Sequence, residues 1–178
     1  MSERLPIHTI GHSTRTIPEF VDLLQVANVE LVVDIRSVPR SRTNPQFNME
    51  TLPDTLAPWQ IGYRHLRELG GLRGRSKSVP SEVNGFWTNP SFHNFADYAL
   101  SDAFHTGLSN LLELTETKRC AIMCSEAVWW RCHRRIVADY LLIVGRSVFH
   151  LMGTARIEPA TLTQAARPRD VALVYPSA

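Results

Sequence analysis

A chain of 178 residues, 44% hydrophobic and 20% charged, has the composition of one globular domain and the length to bury a core without a disulfide framework or a structural metal. No stretch is apolar for long enough to cross a bilayer as a helix, and a net charge of +2 is too small to imply a polyanionic partner by itself. Three cysteines cannot all pair within one chain, and the opening run Met1–Pro6 lacks the basic start and apolar core of a secretory signal, so the sequence predicts a cytoplasmic protein with free thiols and no membrane partner.

Ile7-His8-Thr9-Ile10 reads as a short strand ended by Gly11. Thr16 and Glu19 then form a capping box, with Pro18 tolerated in the first turn, and Ile17, Phe20, Val21, Leu24 and Ala27 share one helical face. Leu31-Val32-Val33-Asp34-Ile35 is nearly unbroken in its apolarity, which suits a strand buried on both faces of a parallel sheet. A polar loop from Arg36 to Asn48 follows, then a weaker helix from about Met49 to Trp59, interrupted by Pro53 and Pro58. Ile61 to Leu66 reads as a third strand. The segment 67–90 is a long loop rich in Gly, Ser, Pro and Arg. Two helices are predicted near Phe92–Leu100 and Asp102–Thr115, the second burying Phe104, Leu108, Leu111 and Leu112. Arg119 to Met123 is a fourth strand ending at Cys124, a helix runs from about Cys132 to Ile143, and Ser147 to Leu151 is a fifth strand. The tail 152–178 is expected to pack on the domain, with Val171 to Tyr175 as a candidate edge strand.

This alternation predicts a single α/β domain over residues 1–178. Its core is a Rossmann-like, doubly wound sheet of about five mainly parallel strands with an extra C-terminal edge strand. Ligands in such sheets bind beyond the carboxyl ends of the strands, at the switch point of strand order. If strands one, two and four are neighbours, Gly11-His12-Ser13, Arg36-Ser37 and Cys124-Ser125-Glu126 line one crevice.

Those segments are also the chemically richest. A thiol at Cys124, between a strand and a helix start and near several arginines, is expected to ionise readily; the alternative is a buried, inert cysteine, which suits Cys120. In the following helix the stripe Ile136, Val137, Tyr140, Leu141 places His133 inward, flanked by Cys132 and Arg134, and turns Arg135 outward to pair with Asp139. An inward His133 is either a base or ligand, or a structural residue bonded to a strand-end carbonyl. Gly11 permits a tight turn at His12, and the backbone N–H groups around Ser13 are candidates to cradle an anion. Arg36, with Arg40, Arg42 and Arg134, is suited to clamp a phosphate or carboxylate, although Asp34 and Arg36 are equally a candidate structural ion pair. Glu126 is a candidate general acid or base, or else a partner of Arg131 or Arg134. Trp129 and Trp130 fit a hydrophobic lid better than a stacking platform. The phosphatase spacing Cys-x5-Arg is missed by one residue, because Trp130 stands where the arginine is needed and Arg131 follows. Cys124, Cys132, His133 and His12 could hold zinc, but their spacing is not a known zinc pattern. No phosphate-binding Walker A or dinucleotide fingerprint is present.

Taken in order, Thr9-Ile10-Gly11-His12-Ser13, Asp34-Ile35-Arg36 with Pro39-Arg40-Ser41-Arg42, Glu68-Leu69-Gly70-Gly71, Met123-Cys124 with Glu126, and Cys132-His133-Arg134 resemble the bacterial and archaeal family known as domain of unknown function 488. The tail pieces Glu158-Pro159 and Tyr175-Pro176 extend the resemblance. The sequence departs from the family at Ser125, where Ala is common, and at Ala160, where His is common, so a tail histidine has no role here. The resemblance implies an α/β fold with one site and supplies no reaction. The expectation is therefore an enzyme acting on a small anionic, phosphate- or nucleotide-like substrate, with no cofactor assigned. Cys124 would be the nucleophile, and His12, His133 and Glu126 would move protons. Two alternatives stay open, a non-catalytic nucleic-acid-binding or regulatory module and a zinc-type metal site.

Overall fold

The computed structural model describes residues 3–154 and 156–178. Six strands form one mixed sheet: β1 (Ile7–Gly11), β2 (Leu31–Asp34), β3 (Gly62–His65), β4 (Cys120–Cys124), β5 (Val148–Met152) and β6 (Arg156–Pro159), in the order β3-β2-β4-β1-β5-β6. The first five run parallel, and β6 returns antiparallel along β5. The central strands β1, β2 and β4 are buried at every position, which is why their sequences read as apolar runs rather than alternating ones.

Five helices connect them: α1 (Ile17–Val26), α2 (Leu52–Leu56), α3 (Pro90–Tyr98), α4 (Asp102–Thr115) and α5 (Arg134–Ile143). The Thr16–Glu19 capping box starts α1 as expected. Each face of the sheet carries its own core. One joins Ile10, Val32, Ala121 and Met123 to Phe20, Val21 and Leu24 of α1 and to Leu52 and Leu56 of α2. The other joins Ile7, Val33, Ile122 and Cys124 to α3, α4 and α5.

This topology fixes the crevice. After β1 the chain turns through α1 to β2, and after β4 it turns through α5 to β5, so two adjacent strands send their connections in opposite directions and onto opposite faces. The carboxyl ends of β1 and β4 are therefore left uncovered between the two helices, which is the switch point expected to take a ligand.

The extra C-terminal edge strand is β6, at residues 156–159. Ala172–Val174 instead forms β8, paired only with β7 (Arg167–Arg169) in a separate hairpin. Leu173 and Tyr175 of that tail are buried against the α3–α5 core, so packing on helices rather than backbone pairing holds this segment. The weak helix around residues 49–59 shortens to α2 and a 3-10 turn, as Pro53 and Pro58 require.

Candidate functional site

A cavity of about 440 Å3 opens at the carboxyl ends of β1, β2 and β4, and His12, Arg36, Cys124, Glu126, Cys132 and His133 all line it, with Arg40 and Arg131 at its rim. The loops after β1 and β4 are laced together by His12 N–H to the Cys124 carbonyl and Ser13 N–H to the Ser125 carbonyl, each 2.9 Å. A Cβ at position 11 would lie 1.7 Å from the Glu126 carbonyl oxygen, so only glycine lets these loops approach.

The wall on the β2 side is built on Asp34, which is fully buried. Arg36 donates Nε to Asp34 Oδ1 at 2.9 Å and Nη2 to Oδ2 at 2.7 Å, a bidentate pair, and Nη2 also reaches the Phe47 carbonyl at 2.7 Å. The Tyr63 hydroxyl donates to the same carboxylate. Burial alone would lower the Arg36 pKa, but the Asp34 hydrogen bonds and charge outweigh it and leave the guanidinium above its usual value. Arg36 Nη1 faces His12 Nε2 at 3.3 Å. His12 donates Nδ1–H to the Ser13 carbonyl at 2.9 Å, so Nε2 carries the lone pair and accepts from Arg36 Nη1. Burial and the Arg36 charge lower the His12 pKa, against the Ser13 carbonyl and Asp34, and keep it a neutral base near pH 7.

The wall on the β4 and α5 side is different. Cys124 and Cys132 meet sulfur to sulfur as a disulfide, their Cα atoms 7.5 Å apart. Beneath them lies Arg134, with no exposed surface and, among the described residues, no carboxylate within ion-pair distance. Its guanidinium donates Nη1 to Cys124 Sγ at 2.7 Å and to the Glu126 carbonyl at 2.5 Å, Nη2 to the Ala127 carbonyl at 3.1 Å, and Nε to Thr9 Oγ1 at 3.2 Å. The Thr9 hydroxyl is then free to donate to His150 Nδ1, 2.7 Å away. Burial pushes Arg134 down to about 9, with the Glu126 charge opposing. His133 donates Nε2–H to the Ile35 carbonyl at 2.8 Å, which leaves Nδ1 as the acceptor 3.6 Å from Cys132 Sγ. Burial first, then the Arg134 charge, lower His133 to about 4. Position 71 presses on this ring, where a Cβ would lie 2.5 Å from Nδ1.

The family model for the domain of unknown function DUF488 matches residues 16–141. The chain belongs to this family. The match takes in Arg36, Cys124 and the Cys132-His133-Arg134 run, while His12, Ser13 and the tail lie outside it. No curated protein and no solved structure matches the chain.

Within this DUF488 domain several expected roles move. The N–H groups of His12 and Ser13 are taken by the β4 loop and cannot cradle an anion, and Ser13 and Arg42 do not line the cavity. Arg134 lies under the cavity rather than in it, because α5 begins at Arg134, not Cys132, and Arg134 then falls in phase with Val137, Ala138 and Leu141. For the same reason Cys124 does not face the first turn of α5; a 3-10 turn at Trp129–Arg131 intervenes, and the nearest positive charge is a side chain. Arg135 does not pair with Asp139. It reaches Thr163 Oγ1 at 3.2 Å, while the buried Asp139 accepts from Thr163 N–H and the Tyr175 hydroxyl. Glu126 is exposed, and only its carbonyl engages Arg134. Trp129 stacks on His150 and donates Nε1–H to Glu158, while Trp130 is exposed. Among the described residues no three His, Cys, Asp or Glu side chains converge as a metal-holding group.

Sequence patterns single out neither Thr9 nor His150, and they point to Arg131 only as a partner for Glu126 and as the arginine one place past the phosphatase spacing. A signal existed for the first: Ile7, Thr9 and Gly11 share one strand face, and a hydroxyl in a fully buried strand needs a partner.

Proposed function

We propose that the protein is an enzyme using Cys124 as a thiolate nucleophile on a small anionic, phosphate-like substrate. The observation that carries this reading is the buried Arg134 guanidinium, without a carboxylate, 2.7 Å from Cys124 Sγ at the cavity floor. A buried cation lacking a counter-charge costs several kcal/mol, and an ionised thiol is the group placed to supply one. By reciprocity the cation favours thiolate over thiol, which is how reactive cysteines are tuned.

In the reduced site, the Cys124 thiolate faces a cavity whose other wall presents Arg36 Nη1 and whose rim carries Arg131. These cations would hold an anionic group against the sulfur. His12 Nε2 is neutral and accepts from Arg36 Nη1; when an anionic group draws that guanidinium nitrogen away, the Nε2 lone pair is suited to take a proton from a second nucleophile such as water. The exposed apolar side chains Val38 and Leu72 at the mouth would contact the remainder of the substrate.

The nucleic-acid reading is less well supported. Arg40 is paired with Glu50, and Arg73 stacks on Tyr98 and donates to the Gly70 and Arg67 carbonyls, so part of the basic loop charge is already engaged.

The test is iodoacetamide labelling of Cys132→Ala protein against pH, with and without inorganic phosphate and nucleoside monophosphates. Cys124 should react fully at pH 7, and at least one of these anions should protect it. Labelling that appears only above pH 8, with no protection by any of them, would remove the proposal.

A further inference from the structure

Cys132 has no task in the mechanism above, yet it lines the same cavity and touches Cys124. One residue serves both sulfurs: Arg134 donates its guanidinium to Cys124 Sγ at 2.7 Å and its backbone N–H to Cys132 Sγ at 3.4 Å. The two thiols nonetheless differ. Cys124 has the cation, whereas Cys132 has a hydrogen-bond acceptor, since His133 Nδ1 lies 3.6 Å from its sulfur with a lone pair available. The third thiol, Cys120, is excluded by position. It begins the strand that Cys124 ends, bonds the Lys118 carbonyl, and is pushed up by burial to about 11.

We propose that Cys124 and Cys132 are a redox couple in which Cys132 is the resolving thiol, so that the site alternates between an open dithiol and a closed disulfide. The oxidant is a peroxide. The Cys124 thiolate attacks hydrogen peroxide; an S–O bond forms, the O–O bond breaks, and the departing hydroxide takes a proton to become water. His133 Nδ1, 3.6 Å from Cys132 Sγ, accepts a hydrogen bond from the Cys132 thiol and orients its sulfur toward the Cys124 sulfenic acid. As that sulfur attacks, the S–S bond forms, the S–O bond breaks, and the thiol proton passes to the leaving hydroxide as water. Two thiols and one peroxide thus give one disulfide and two waters, the sulfurs losing the two electrons the peroxide gains. A dithiol reductant reverses the change.

Closure removes the nucleophile and ties together both ends of the loop 125–131, which contributes Ser125, Glu126 and Arg131 to the cavity. The disulfide is therefore the inactive form of the enzyme proposed above, and this inference rests on that thiolate reading.

The experiment treats reduced full-length protein with one equivalent of hydrogen peroxide and maps the products by peptide mass spectrometry, in the presence and absence of dimedone. Wild type should yield a Cys124–Cys132 disulfide that dithiothreitol reopens, and Cys132→Ser (or Cys132→Ala, should the serine variant fail to fold) should yield a dimedone-trapped sulfenic acid at Cys124. His133→Gln should slow closure about a hundredfold relative to sulfenic acid formation; closure at the wild-type rate overturns the orienting role of His133. Wild-type protein that accumulates sulfenic or sulfinic acid at Cys124 without a disulfide overturns the couple and leaves the thiolate standing. Oxidation of Cys124 no faster than Cys120 overturns both.

Discussion

Arg36 and Arg134 are buried beside the same cavity, 24 and 10 residues from their cavity-side contacts at His12 and Cys124, yet only Arg36 has a carboxylate. On the β2 side, Asp34 neutralises the guanidinium through a bidentate pair, and Tyr63 and the Phe47 carbonyl complete the shell. On the β4 side, Arg134 is surrounded by carbonyls, a threonine hydroxyl and sulfur. Carbonyl dipoles orient a cation but do not cancel its charge. The first wall is consequently a finished ion pair that frames the cavity. The second has an electrostatic demand that an ionised Cys124 would meet, and under the proposed function the same demand would make that thiolate chemically available.

The comparison breaks most visibly if Asp34 is removed. Asp34→Asn should cost about 3–5 kcal/mol in urea unfolding, because it leaves Arg36 buried without its counter-charge. A loss below about 1 kcal/mol would mean that Arg36 is not held by this pair.

Acid should act on the other wall. His133 and His150, the neighbours of Arg134, are each lowered to about 4 by burial and by its charge, although Glu158 opposes the shift at His150. A depressed histidine is neutral in the folded state and takes up its proton on unfolding, so the stability it contributes is complete above about 6.5 and is lost as pH falls toward 4. The loss should be on the order of 3 kcal/mol for each histidine, visible as a falling unfolding midpoint between those pH values. A flat profile there would show that neither ring is held neutral.

A smaller effect sharpens the role of Arg134 itself. In a Cys132→Ala background, Arg134→Met should return Cys124 to an ordinary thiol and slow iodoacetamide labelling at pH 7 about 30-fold, with Arg134→Lys recovering part of the rate. An unchanged rate in the methionine variant would leave the thiolate without its cause. The smallest effect belongs to Tyr63→Phe, which deletes one donor to Asp34 while the bidentate pair remains. About 1 kcal/mol in the same urea measurement is expected. A loss as large as that of Asp34→Asn would make the hydroxyl, and not Arg36, the main partner of the carboxylate.

Much of this was legible in the chain itself. The unbroken apolar run at 31–35, the Thr16–Glu19 capping box and the strand ending at Cys124 each reported local physics faithfully: burial on both faces, backbone N–H groups in need of a cap, and a chain leaving the sheet. The switch-point rule then brought together His12, Arg36, Cys124 and His133, which do share one cavity. The edge strand at 156–159 leaves no pattern in the sequence because its burial is partial, and an edge strand has only one neighbour to impose one.

What the sequence determined by itself was which residues lie at the carboxyl ends of the strands, because apolar periodicity and turn chemistry act within a few residues. Tertiary structure alone decided the pairing of charges. Helical phase allowed Arg134 to point inward, but a buried arginine is so costly that no local pattern announces one; its position depends on Thr9 of β1, the 126–127 carbonyls and the Cys124 sulfur arriving from distant segments. Asp34 likewise lies two residues from Arg36 in the chain, but only Phe47 and Tyr63 closing over it make that neighbour a buried ion pair. The two arginines look alike in sequence, and the difference between them is made by what the fold packs around each.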